Sequence, residues 1–340
     1  MLRVWLKHCE FSHTKCAIGD FHSYPLDGKC PLPLRVIDVG PSNGSTQPRL
    51  CFPDGLQGKW IALSHCWGNK LLQPPKTTRK NLRKHEKRIP LESLPRTFHD
   101  AVLVTRALEI RYLWIDSLCI VQDDAADVAE QLPRMGEIYR NASLTLLAGE
   151  STNCGDGLFF DVTALPHTLL RSARDSSSYD LLENSSTPNI QDNVGLSQEP
   201  QEDQNAVTTP VEVPFYRSGK VEGTFFATPI EESDPYGENR RQSFGGIPLF
   251  QRGWVTQEWA FSRRSILFLR DEIVWSCRES CENDQGTKLQ LARPDVLDWY
   301  ELIQEYSMKG LTYEGDRLRA VAGLAHSLRA CRSDEYFAGH

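Results

Sequence analysis

The sequence predicts an α/β fold: a parallel sheet flanked by helices, with an added β-hairpin and a C-terminal helical segment. Three observations carry this expectation. Trp60–Ser64, Tyr112–Ile115 and Leu144–Ala148 are short, mainly apolar runs, the pattern of strands covered on both faces. Segments with apolar residues at helical spacing lie between them. Three blocks then set polar or acidic side chains just past an apolar run: Trp60-Ile-Ala-Leu-Ser-His-Cys-Trp-Gly68, Arg111-Tyr-Leu-Trp-Ile-Asp-Ser-Leu-Cys-Ile-Val-Gln-Asp123 and Arg252-Gly-Trp-Val-Thr-Gln-Glu258. That is where a parallel sheet presents its ligand-binding edge.

Residues 1–50 read as an N-terminal lead-in that ends in the alternating strand Leu34–Val39 and the turn-rich Gly40–Ser45. Trp60–Ser64 is the first central strand. Lys76 to Arg88 is densely basic, either a solvated helix or loop, or a patch that attracts a phosphate-bearing ligand. Thr97, with Asp100 three positions on, suits the start of a helix, and Phe98, Ala101, Val102, Thr105 and Leu108 follow at helical spacing. With Tyr112–Ile115 this makes one right-handed βαβ crossover.

The pattern then repeats. Val128, Leu132, Met135, Tyr139 and Ala142 share a helical face, and Leu144–Ala148 is the next buried strand. Pro133 requires that this helix either begin near Leu132 or kink there. Residues 171–213 hold eight acidic side chains, two basic ones and one aromatic, too little apolar surface to offset ordering. They are expected to form a disordered acidic insertion within a domain spanning 51–280. Beyond it, Gly253–Ser262 reads as a helix, and Ser265–Leu269 and Ile273–Cys277 as the hairpin. Residues 281–340 are expected to be a helical C-terminal extension of a longer parent protein, with Asp316–Ala325 as one helix.

The 340 residues are 40% apolar and 24% charged, with a net charge of −7. This composition suits a soluble globular protein and gives no general attraction to nucleic acid or anionic lipid. No run approaches the roughly 18 apolar residues of a membrane span, and Met1–Lys7 is too short for a signal peptide, so a cytoplasmic location is expected. Ten cysteines in a chain this long are too sparse for a disulfide scaffold. Cys9, His13, Cys16 and Cys30 have the residue types of a tetrahedral zinc site, with packed thiols as the alternative. The phosphate loop of triphosphatases, the dinucleotide glycine fingerprint and the His-Glu-x-x-His helix are missing, which disfavours kinases, dehydrogenases and metalloproteases.

Acids beside apolar strands are costly unless paired or used, which singles out Asp116, Glu258, Asp123 and Asp124. Glu258 falls one helical turn after Trp254, so a carboxylate and an indole share one face and suit a polar ring substrate. The alternative for Glu258 is an ion pair with Arg263 or Arg264. Asp116 has the alternative of capping the following loop, and His65 that of a satisfied hydrogen-bonding residue.

Together the blocks resemble the fungal heterokaryon incompatibility (HET) domain. Ile61–Gly68, Leu94–Ala101, Arg111–Asp124, Met135–Ala142 and Arg252–Glu258 agree with it in order and rough spacing. The resemblance implies a role in self/non-self recognition and programmed cell death. It also implies a flavodoxin-like parallel sheet, because HET domains look like distant relatives of the Toll/interleukin-1 receptor (TIR) fold. NAD-cleaving TIR domains place a catalytic glutamate four residues after a tryptophan, the spacing of Trp254 and Glu258, although here the insertion separates strand from helix. The resemblance therefore implies Glu258 as the catalytic residue of an NAD+ hydrolase, with Ser64, His65, Trp67, Gly68, Asp116 and Trp254 binding substrate. No cofactor is required, since NAD+ would be the substrate, and no metal, since nicotinamide is already a good leaving group. Self-association and an unidentified protein trigger are expected partners. The competing expectation is a non-enzymatic death-signalling adaptor that acts by self-association.

Overall fold

The computed structural model describes residues 1–17, 28–69, 71–160, 211–217, 220–227, 246–289, 299–311 and 314–332. The chain divides into two units, Met1–Arg171 with Gly237–His340, and Ser172–Tyr236. The smaller unit contains an antiparallel hairpin, Val211–Arg217 paired with Lys220–Ala227. Of the expected acidic insertion, residues 171–210 lie outside the described residues, and 211–213 open this hairpin.

The larger unit is built on one eight-stranded mixed sheet. Its strands are β1 (Val36–Asp38), β2 (Arg49–Cys51), β3 (Trp60–Ser64), β4 (Tyr112–Trp114), β5 (Leu144–Ala148), β6 (Arg264–Phe268), β7 (Ile273–Cys277) and β8 (Cys281–Asn283), in the order β8-β7-β6-β5-β3-β4-β1-β2. The four central strands are parallel: β6 with β5, β5 with β3, and β3 with β4. The outer strands on both sides run antiparallel to their neighbours. The three apolar runs thus form the core of a parallel sheet, and every residue of β3 and β5 is buried. Each large aliphatic side chain removed from water there contributes about 1.5–3 kcal/mol.

The segment read as a lead-in supplies strands to the same sheet. Asp38 on β1 accepts two hydrogen bonds from Arg111, at 2.9 and 3.0 Å, next to its ladder partner Tyr112. Arg35, also buried, donates to the Cys119 carbonyl at 2.6 Å and pairs with Asp127. These charge-assisted contacts fix an edge that apolar periodicity does not reveal.

The helices are α1 (Leu2–Ser12), α2 (Arg96–Ala107), the single turn α3 (Asp116–Cys119), α4 (Ala125–Gln131), α5 (Met135–Asn141), α6 (Gly253–Phe261), α7 (Trp299–Ser307) and α8 (Arg319–Arg332). Short turns occur at Thr14–Ala17 and Leu82–Lys87. α2 connects β3 to β4 and buries Phe98, Ala101, Val102 and Thr105, the expected face. Its start differs from expectation, for Pro95 precedes the first turn and no side chain caps it. Thr97 and Asp100 lie on the buried side instead, where they accept the Gly157 and Leu158 amides at 3.0 and 2.9 Å. They hold the loop after β5.

Pro133 is accommodated by a break. It occupies the first turn of a 3-10 segment, Leu132–Arg134, between α4 and α5, where its missing N–H costs nothing. α6 and the β6–β7 hairpin fall where the apolar pattern puts them. Among the described residues no helix is long and apolar enough to cross a membrane.

Candidate functional site

The connection leaving β3 runs to β4, whereas β5 lies on the opposite side of β3 and its chain continues to β6. Connections that leave two neighbouring parallel strands toward opposite sides open a crevice at their C-terminal ends. Ser64 closes β3 at this crevice, and the loop beyond carries His65, Trp67 and Gly68. Asp116 opens α3 just past β4. α6 returns over the sheet, with Arg252 before its first residue and Trp254 and Glu258 one turn apart.

Glu258 is buried and its carboxylate accepts the Ser64 hydroxyl at 2.5 Å. Tyr139 on α5, whose hydroxyl donates to the Leu63 carbonyl at 3.0 Å, also lies against it. Burial pushes the Glu258 carboxyl up to about 7, and the nearby Asp116 charge adds to the rise; the Ser64 hydrogen bond and the Arg252 charge partly offset it. Near neutral pH the group is therefore poised between its two protonation states. That is the condition a proton-transferring or charge-stabilising group requires.

Asp116 forms the facing wall. It accepts the Trp67 indole N–H at 2.8 Å and the Ser117 amide at 2.7 Å, so it holds the indole as well as starting its own turn. Burial raises its carboxyl pKa, opposed by Arg252, Trp67 and Ser117. His65 is buried edge-on to Phe98, with ring centroids 4.8 Å apart. Burial and the Arg252 charge push its pKa down to about 3. The imidazole is neutral, and its Nδ1, 3.9 Å from Asp116, forms no ion pair. Arg252 donates to the His65 carbonyl, which ties the β3 loop to the start of α6.

Two cavities adjoin here. One of about 420 Å³ is lined by Trp67, Lys76, Asp116, Arg252, Trp254 and Glu258, among others. A second, of about 500 Å³, shares Trp67, Arg252 and Trp254 and extends along Gly68, Asn69 and Asn153. Both fall within the size range of small-molecule sites. Lys76 stands 4.8 Å from the Trp67 ring centroid, so of the basic stretch it is this residue that reaches the crevice. Gly68 has φ +78, and a Cβ there would lie 2.8 Å from Asn153 and 2.9 Å from the Leu72 carbonyl. The close approach leaves no space for a side chain.

Of the expected site residues, Trp67, Asp116, Trp254 and Glu258 line the first cavity and Gly68 the second, Ser64 reaches the first through its hydrogen bond to Glu258, and His65 lies behind the wall against Phe98 and lines neither. Arg263 and Arg264 instead reach the Cys16 carbonyl and the Cys9 sulfur, away from the acid they were alternatives for. Asp123 accepts the Arg79 amide at 2.8 Å and Asp124 pairs with the Arg79 side chain and caps α4. Sequence reasoning assigned no site role to Arg252 or Tyr139, and it named Lys76 only as part of the basic stretch to Arg88; Arg252 stands inside a quoted block, but nothing in its spacing shows that it faces His65. The sequence also contains one Gly-x-Ser-x-Gly string, Gly40-Pro-Ser-Asn-Gly44. It lies in the exposed connection from β1 to β2, not at the strand-to-helix elbow of a hydrolase nucleophile.

Of the expected metal ligands, Cys9, His13 and Cys16 come together, and the fourth ligand atom is offered by Cys277. Cys30 lies outside this group, in a two-residue ladder opposite Gly58.

A family model described as heterokaryon incompatibility protein (HET) matches residues 60–258. Comparison with curated proteins and with solved structures gives no match.

Proposed function

The chain belongs to the heterokaryon incompatibility family, and on that premise we propose that it acts in fungal self/non-self recognition and cell death by hydrolysing NAD+ to nicotinamide and ADP-ribose. One observation carries this reading: a buried carboxyl poised near neutrality at the floor of an indole-lined cavity, with a second acid opposite. A nicotinamide ring is flat and cationic, which suits Trp67 and Trp254 and the two acids. Lys76, Arg252 and the neighbouring cavity offer room and positive charge for the pyrophosphate and the second nucleoside.

In this mechanism the Glu258 carboxylate accepts hydrogen bonds from the ribose hydroxyls beside C1′. The C1′–N bond breaks with its electron pair moving onto the ring nitrogen, which neutralises the pyridinium, so nicotinamide departs without a proton donor. Positive charge develops on C1′ and its ring oxygen, and the carboxylate stabilises it. Water then adds to C1′ and releases its proton to Glu258 or to solvent. Ser64 holds the carboxylate, and Asp116 holds the Trp67 wall.

The test is to incubate the purified chain with NAD+, dilute and at concentrations that drive self-association, and to quantify nicotinamide by chromatography. Glu258→Gln is expected to lower the rate by about 10²–10⁴-fold. No release from either preparation, combined with full cell killing by a folded Glu258→Gln protein, overturns the enzymatic reading in favour of an adaptor.

A further inference from the structure

The geometry points to a structural zinc site formed by Cys9, His13, Cys16 and Cys277, at the end of the sheet opposite the crevice. Cys9 lies on α1, His13 follows its C-terminus, and Cys16 lies in the turn Thr14–Ala17, so three ligands come from one Cys-x-x-x-His-x-x-Cys segment. Cys277 is the last residue of β7, paired in the ladder with Arg264, the first residue of β6. β6 runs parallel to β5 and β3, so its first residue marks the N-terminal edge of the parallel strands, whereas Ser64 marks the C-terminal edge.

The four ligand atoms, three sulfurs and one imidazole nitrogen, all lie within 4.8 Å of one another, and Cys277 Sγ is 3.3 Å from His13 Nδ1. A tetrahedral zinc ion with bonds of about 2.0–2.3 Å separates its ligand atoms by roughly 3.5–3.8 Å. A contraction of at most about an ångström at the widest edge closes the shell.

Two hydrogen-bond donors face the sulfurs. Arg264 Nε approaches Cys9 Sγ at 3.1 Å, and the Ser280 amide donates to Cys277 Sγ at 3.3 Å. Such donors orient and partly neutralise metal-bound sulfur. Three thiolates and Zn²⁺ leave one negative charge, which the Arg264 guanidinium balances. His13 is braced edge-on by His8, with ring centroids 5.1 Å apart. A disulfide would use two of the sulfurs and leave His13 and the third without a purpose, and all three cysteines are free thiols in this structure.

Binding releases the three thiol protons and joins α1 to β7, segments separated by most of the sequence. The ion therefore acts as a cross-link that the unfolded chain lacks, and its binding energy becomes folding energy.

Purification of the whole chain under reducing conditions from zinc-supplemented cells is expected to yield about one zinc per chain by elemental analysis. Cys16→Ser and Cys277→Ser should each lower that by roughly tenfold, while Cys30→Ser and Cys51→Ser retain it. Co²⁺ loaded into the metal-stripped wild-type chain should give the intense visible bands of a tetrahedral site and the near-ultraviolet thiolate charge-transfer band. This readout does not depend on the folding of any variant. Wild-type protein without zinc and without those cobalt bands overturns the proposal, as does a disulfide among Cys9, Cys16 and Cys277 in that preparation. Loss of metal from Cys30→Ser equal to that from Cys277→Ser overturns the ligand set.

Discussion

Replacing Glu258 with glutamine separates the cost of burying an acid from everything else the side chain does. In the unfolded chain this carboxyl ionises near 4.5, and in the folded chain near 7. The folded state holds the proton more tightly. The stability this group contributes is therefore complete below pH 4.5 and is lost as pH rises through 7. With about 1.4 kcal/mol per pKa unit, the loss is on the order of 1 kcal/mol at pH 5 and on the order of 3 kcal/mol at pH 8. Glutamine keeps the shape and a partner for Ser64 but never ionises. Urea unfolding of the wild type and Glu258→Gln, followed by tryptophan fluorescence from pH 5 to 8, subtracts the titration of every other group. The variant should gain on the order of 2 kcal/mol on the wild type across that range. Parallel stability curves would refute the claim that an ionisable acid is buried at the crevice floor.

Two further outcomes follow from the same geometry. If the Glu258 carboxylate stabilises charge on the ribose, kcat/KM for nicotinamide release rises with pH, close to tenfold per unit below about 7, and levels off above it; a rate that falls through neutrality shows that the protonated acid is the working form. Gly68→Ala places a Cβ against Asn153 and the Leu72 carbonyl at a backbone φ of +78, and should cost more than about 1 kcal/mol while displacing Trp67. Unchanged unfolding and unchanged indole fluorescence would contradict that packing.

The parallel strands, α2, α6 and the β6–β7 hairpin were legible because each is a local pattern: an apolar run, a helical repeat or two runs around a turn. The meeting of Ser64, Asp116 and Glu258 was legible because acids just past buried strands are costly and must converge on something. Contacts between distant parts of the chain left no such trace. Nothing near Asp38 announces Arg111, and nothing near Cys16 announces Cys277. Thr97 and Asp100 illustrate a different failure, in which a helix-start pattern was present but the side chains served the amides of another loop, because the buried face turned them inward. Cys30 was grouped with Cys9 through nearness in sequence, while strand pairing carried it to Gly58.

α6 is enclosed on nearly every side: Val255, Thr256, Gln257, Glu258, Trp259 and Phe261 are all buried. It packs against α5, α7 and α8, and the seams depend on two glycines. A methyl group at Gly136 would stand 2.7 Å from the Phe261 ring, and one at Gly323 would stand 2.7 Å from the Gln257 amide oxygen. A rod wedged this tightly does not roll. The acid it carries is held on one heading, toward Ser64, while the Trp67 loop and Lys76 border the cavity in front of it.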